Sequence, residues 1–244
     1  MPCIRWRKTV QPNALATLIW LALAGVCGPA CILLTGCGPS DEKLESIFDG
    51  KSLQGWRGNA QFWSVREGAI TGETTERTPT EGNTFLIYGN VVADFELRLK
   101  VRIIGGNSGI QFRSADRGNF VVHGYQTDIS STEEFLGDLY EEGGRGVLAK
   151  GGEKVEIRQD GKKVVDKIRG RSEIATAVRW QDWNDYRLVA KGDRIVQEIN
   201  GVVTADVVDK EEHKARADGI LALQLHAGPP MLVQFKDIQL RRLK

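Results

Sequence analysis

The chain has 244 residues, of which 33 are Lys or Arg and 32 are Asp or Glu, for a net charge of +1; 41% of the side chains are hydrophobic. This balance leaves no cationic footprint for nucleic acid. The length, once a leader is set aside, accommodates a single domain.

The first ten residues carry Arg5, Arg7 and Lys8 and no acid. Residues 14–36 then hold no charged side chain and run into Leu34-Thr35-Gly36-Cys37. A positive start, an apolar run and a small-residue cut site are the parts of a signal peptide. The tetrapeptide resembles the bacterial lipobox, in which the cysteine is diacylated and cleavage falls just before it. Residues 1–36 are therefore expected to be a lipoprotein signal peptide, with Cys37 as the lipidated residue. An uncleaved spanning helix would have the necessary length, but Gly28-Pro29 interrupts the run. Cys3, Cys27, Cys31 and Cys37 are the four cysteines, so the domain would hold no disulfide and no cysteine-based metal site. Loss of the three leader cations takes the net charge from +1 to −2. The expected location is outside the cytoplasm, anchored by lipid to a bacterial membrane at its periplasmic face or in the outer membrane, without help from a basic patch.

Residues 37–43 read as a lipidated cysteine with a short polar tether, and residues 44–244 as one β-sandwich domain. FDGKSLQGW (48–56) holds an Asp49-Gly50 turn and a core or lid aromatic, Trp56. FWSVREGAITGE (62–73) alternates about Glu67-Gly68 and predicts a hairpin. Residues 74–83 form a polar loop, and FLIYG (85–89) a short strand. In DFELRLKVRI (94–103), Phe95, Leu97, Leu99, Val101 and Ile103 alternate with Glu96, Arg98, Lys100 and Arg102, the pattern of a strand with one buried face. Further turns are predicted at Asp160-Gly161, Gly192-Asp193 and Asn200-Gly201. DGILALQLHAG (218–228) and MLVQFKDIQLRRL (231–243) close the chain as two strands. Many short strands with frequent turns, and no long amphipathic helix, predict an all-β jelly-roll sandwich of two antiparallel sheets.

Residues 105–145 break the plain pattern. In GIQFR, Gln111 and Arg113 share a face; in YQTDI, Gln126 and Asp128 do. In LALQLHAG, Leu221, Leu223 and Leu225 oppose Ala222, Gln224 and His226. One side of a sheet would thus collect amide, guanidinium, carboxylate and imidazole groups. Asp138, Glu141, Glu142 and Arg145 cluster just beyond. A solvated outer face is the alternative to a ligand-binding one; the glycine-rich joints favour a ligand. Trp180 is a candidate sugar-stacking aromatic, whereas Trp183 reads as a cap on the core. His123 reads as a turn or rim residue and His213 as solvated.

FDGKSLQGW, GGNSGIQFRS, GYQTDI, YEEGGRG, WNDYRLVAKGDRIVQEINGV and GILALQLHAG with VQFKDIQL stand in the order seen in the bacterial 3-keto-disaccharide hydrolase domain family, which the chain resembles from Phe48 to Leu243. The resemblance implies a concanavalin A-like jelly roll, exported and often lipid-anchored. It also implies action on an oxidised (3-keto) sugar or glycoside, as a 3-keto-glucoside 1,2-lyase or a 3-keto-2-hydroxyglucal hydratase.

Such a substrate has a C2 proton acidified by the C3 ketone. A base removes that proton, the glycosidic oxygen leaves from C1, and water adds to the unsaturated sugar. The reaction needs a base in reach of C2, donors for the enolate oxygen and an acid for the leaving group. Asp128 and Glu141 are the base candidates; Arg113, Arg145 and His226 are candidates for the other two roles. Gln111, Gln126, Gln224, Arg145 and Trp180 complete the expected binding surface. Asp128, Glu141 and His226 are also donors a divalent metal accepts, though no ligand spacing marks a metal site. Two other functions suit the same fold: a lectin-like binding module, and an ordinary glycosidase using Asp128 with Glu141 or Glu142.

Overall fold

A computed structural model describes residues 43–244. The leader, Cys37 and most of the tether lie outside the described residues. Among the described residues, no helix is long and apolar enough to cross a membrane.

Strands β1 (Glu45–Ser46) and β2 (Trp56–Arg57) are short; β3 (Trp63–Arg66) and β4 (Ala69–Thr74) form the predicted hairpin. Its turn holds Glu67 and Gly68 at φ 50° and 75°, the two left-handed positions of a type I′ turn. The strands β5 (Thr84–Val92), β6 (Phe95–Ile104), β7 (Asn107–Gly118) and β8 (Val121–Ser130) follow. Then come β9 (Leu139–Glu142), β10 (Gly146–Ala149), β11 (Glu153–Ile157) and β12 (Lys163–Lys167). After a short helix, α1 (Arg171–Ala175), the chain ends with β13 (Asn184–Lys191), β14 (Arg194–Ile199), β15 (Val202–Asp209), β16 (Gly219–Leu225) and β17 (Met231–Arg242).

These strands form two sheets. The larger runs β12-β11-β15-β14-β13-β6-β17-β4-β3, with β1 beside β17; the smaller runs β10-β9-β8-β7-β16-β5-β2. Pairing is antiparallel as expected, except that β11 runs parallel to β15, with Glu153 opposite Ala205. The core lies between the sheets. Leu97, Leu99, Val101 and Ile103 of β6 face Ile110 and Phe112 of β7 and Leu221, Leu223 and Leu225 of β16, all buried. Trp56 joins them, its indole N–H donating to the Ile47 carbonyl at 2.9 Å.

The outside of the larger sheet departs from the sequence reading at two points. Glu96, expected in solvent, is 1% exposed because Arg98, Arg187 and Arg241 close over its carboxylate. Burial pushes this carboxyl up, but hydrogen bonds from Arg187, Arg98 and Arg241 outweigh it and hold the pKa at about 2. Trp183 is half-buried rather than a core cap. Lys236 Nζ lies 4.1 Å and the Arg102 guanidinium carbon 5.2 Å from its ring centroid, so its face serves two cations.

Candidate active site

A cavity of about 570 Å³ opens on the outer face of the smaller sheet. Strand alternation sends Gln126 and Asp128 of β8, Tyr140 and Glu142 of β9 and Gln224 of β16 to that face, and all five line the cavity. Their sequence neighbours Tyr125, Thr127, Leu139, Leu223 and Leu225 are buried on the other side. The rim comes from Asn83, Gly106-Asn107, the loop 130–135, Val147 and the residues 226–229 that follow β16.

A chain of hydrogen bonds runs beneath the floor. Ser114 Oγ donates to Gln111 Oε1 at 2.7 Å, Gln111 Nε2 to Gln126 Oε1 at 2.8 Å, and Gln126 Nε2 to Asp128 Oδ1 at 2.8 Å. Each link fixes the direction of the next amide, so Asp128 receives an N–H and not a carbonyl. The Gln126 side chain lies over Gly109, where an added Cβ would stand 2.3 Å from Gln126 Cδ. Glycine is therefore required opposite Asp128, its cross-strand partner.

Asp128 is 4% exposed. Burial pushes its carboxyl up, Gln126 pulls it back, and Asp138 and Glu142 push it up again against Arg171, leaving the pKa at about 7. Asp138 is itself raised by burial, while its Oδ1 accepts from Gly151 N and Arg171 Nη2, each at 2.7 Å. Burial, Glu142 and Asp128 raise the Tyr140 phenol, which keeps its proton. Across the cavity, Gln224 Nε2 donates to Glu142 Oε2 at 3.3 Å. Gln224 Oε1 and Asn107 Oδ1 are buried without a partner, acceptors suited to ligand hydroxyls. His226 Nδ1 lies 2.5 Å from the Ala227 carbonyl. That contact requires Nδ1 to carry the proton, so neutral His226 presents Nε2 as an acceptor.

The structure brings together Asp128, Gln126, Gln224 and His226 of the expected residues, with Gln111 one layer below. It separates the others. Arg113 sits at φ 45°, at a bulge between Phe112 and Ala115 that turns its side chain away from Gln111's face. It is 2% exposed, and its guanidinium is consumed by the carbonyls of Ala93, Gly192 and Arg216 and by Asp94. Glu141 shares the inward side of β9 with Leu139. There it pairs with Arg145, which also binds Asp209 and Glu211 and lies over the Tyr125 ring at 5.8 Å. Neither Glu141 nor Arg145 lines the cavity, so Glu141 cannot join Asp128 and His226 around a metal; among the described residues no three acidic, histidine or cysteine side chains converge. Trp180, 40% exposed, lies outside the cavity beside Val178 and Gln181. The exposed aromatic at the rim is Phe135 instead.

A family model described as the 3-keto-alpha-glucoside-1,2-lyase-like domain matches residues 43–241. The chain belongs to that family. Membership places it among carbohydrate-active proteins. Among proteins of curated function, none matches this chain. Solved structures share the fold at low identity. A candidate glycosyl hydrolase from Parabacteroides distasonis is 19% identical, with TM-score 0.57 over 82% of this chain and 100% of its own. A Bacillus subtilis protein of unknown function with a galectin-like fold is 9% identical, with TM-score 0.56 over 84% and 99%. The carbohydrate-binding module CBM66 from Bacillus subtilis is 14% identical, with TM-score 0.51 over 75% and 93%. The jelly-roll sandwich expected of the lyase-like family is the fold observed. Tyr140 entered this site without having been singled out for it, and Glu142 had been named only in the acidic cluster and as an alternative to Glu141 in a two-carboxylate pair. The signal was Leu139: once it is assigned to the core, alternation sends Tyr140 and Glu142 outward.

Proposed function

We propose that the chain is an exported lipoprotein that cleaves 3-keto-glycosides by elimination, with Asp128 as the base. The observation that carries this reading is a carboxylate buried in a polar cavity and poised near neutral pH. A base is most useful when its pKa lies near the working pH. Asp128 takes the C2 proton of the bound keto sugar. The C2–H electron pair, held as the enolate, becomes the C1=C2 bond as the C1–O bond breaks. The departing oxygen keeps that bond's electrons and gains a proton, for which the Tyr140 hydroxyl is the donor. Water then adds to the unsaturated sugar. Gln224 Oε1 and His226 Nε2, on the other side of Asp128, are assigned to sugar hydroxyls, and the second N–H of Gln224 Nε2 to the oxygen at C3. Asp128 and Glu142 share the cavity, so two-carboxylate hydrolysis of an ordinary glycoside is the second reading.

The discriminating experiment incubates the soluble domain with 3-keto-trehalose and with trehalose. Sugar release from the oxidised compound alone supports elimination. Release from both favours the two-carboxylate mechanism, and binding without release favours a lectin-like module.

A further inference from the structure

Asp128 lies on β8, midway across the cavity, and the strands on its two sides present different chemistry. Toward β16 stand Gln224, with its unpartnered Oε1, and His226. Toward the other edge, Tyr140 of β9 and Val147 of β10 are directly paired. Phe135 projects from the loop before β9. Val147 is 37% and Phe135 41% exposed, and both line the cavity. Phe135 sits at φ 63°, a backbone region that disfavours a bulky side chain and signals a position held by its surroundings. The holding groups are visible. Leu136 is fully buried, and Arg171 of α1 donates to the carbonyls of Glu133 and Leu136 on either side. The loop thus keeps an aromatic ring at the cavity mouth and out of the core. Thr132 and Glu134, on the same loop, are exposed, so water already serves their polar groups.

We propose that Phe135, Val147 and the ring of Tyr140 form the leaving-group subsite, and that the preferred substrate is a 3-keto-glycoside of an aromatic alcohol and not of a second sugar. The proposal rests on the elimination reading above. With the base on β8 and polar groups toward β16, the keto sugar covers the polar half, and its C1 substituent extends over β9 and β10. A second sugar would bring hydroxyls against the Phe135 and Tyr140 rings and the Val147 methyls, because Glu142, also on β9, directs its carboxylate to Gln224 and Asn83. An aryl group would stack on Phe135 and pack on Val147. The chemistry balances without a redox partner: Asp128 gains the C2 proton, the C1–O bond breaks, and the phenoxide leaves with its electron pair and is protonated from Tyr140 or water.

The test compares phenyl and methyl 3-keto-glucosides of both anomers with 3-keto-trehalose. We expect kcat/KM for one phenyl anomer to exceed those of its methyl analogue and of 3-keto-trehalose by about tenfold, the scale of a well-placed aromatic contact. Phe135→Ala should cut the phenyl-to-methyl ratio severalfold, chiefly through KM, leaving the part of it that reflects the better departure of phenoxide. Equal constants for phenyl and methyl compounds, or a Phe135→Ala effect that is the same for both, would overturn the subsite. Binding of unoxidised phenyl and methyl glucosides, followed by NMR titration, separates the two claims. A phenyl preference that Phe135→Ala abolishes, without turnover of any keto sugar, supports the subsite and sinks the elimination. Absence of any phenyl preference in binding sinks the subsite whatever the turnover.

Discussion

Asp128 offers the most direct perturbation, because one titration governs the proposed step. Its carboxyl is raised to about 7 by burial and by Asp138 and Glu142, so the basic form accumulates as pH rises through neutrality. With that pKa, roughly a tenth of the enzyme is ionised at pH 6 and roughly nine tenths at pH 8. kcat/KM for a 3-keto-glycoside should therefore rise about tenfold between those values and level off above. Asp128→Asn preserves size and can still accept from Gln126, but it removes the basicity. Turnover should fall by about 10²–10⁴-fold, the range for loss of a general base, and the rising limb should vanish. The assay is a progress curve of sugar release, paired with exchange of the C2 proton of the bound keto sugar in D₂O. Exchange should be seen with the parent protein and lost in the variant. A flat profile from pH 5.5 to 8.5, or a variant that keeps parental turnover and exchange, would remove Asp128 from the mechanism and pass the role to Glu142 or His226.

Leu223→Ala should cost about 2–5 kcal/mol of stability, as a truncation between the sheets, while Gln224→Ala should weaken ligand binding in NMR titration and lower the Tm by less than Leu223→Ala does; the reverse outcome would invert the face assignment of β16. The Glu96 cluster should make the domain acid-sensitive. Its folded pKa of about 2 lies below the unfolded value of 4.5, so the stability it supplies is present above that unfolded value and is lost as pH falls through the folded one. In Glu96→Gln, the loss of denaturation midpoint across that window should be smaller than in the parent. Cys37→Ser should abolish both processing at that site and incorporation of labelled fatty acid in a bacterial host; equal labelling of variant and parent would refute the lipoprotein assignment.

The fold was legible wherever periodicity and turn chemistry agreed. Residues 94–103 alternate without exception, and β6 spans nearly the same residues. Glu67-Gly68 and Asn200-Gly201 supplied turns, each with two left-handed residues. Half of the site was legible for the same reason, since Gln126, Asp128 and Gln224 fall on the predicted face. The errors have specific causes. A single left-handed residue at Arg113 breaks the period of two, and nothing in FRSAD announces the bulge. Glu141 was placed by its charge, when the parity set by Leu139 pointed it inward. Phe135 sits in an irregular loop, where no period assigns a direction. The parallel pairing of β11 with β15 joins segments far apart in the chain, beyond the reach of any local signal.

That parallel pair also orders the assembly of the molecule in time. As the chain emerges from its N-terminus, the hairpin of β11 and β12 can form at once, but Val155 has no place beside Val207 until β13, β14 and β15 exist. Every residue of β12 is exposed, so the hairpin has little to hold it except that late docking. Non-local contacts of this kind are the slow part of β-protein folding. The same hairpin also touches β10, where Lys163 Nζ donates to the Val147 carbonyl at 2.7 Å and adds to the pairing of β10 with β9. Strand β16, which completes the cavity floor beside β7, emerges later still, so neither the surroundings of Asp128 nor the apolar edge at Val147 is finished until the last strands are made. On this account the newly made protein gains both halves of the cavity together, when its C-terminal strands dock.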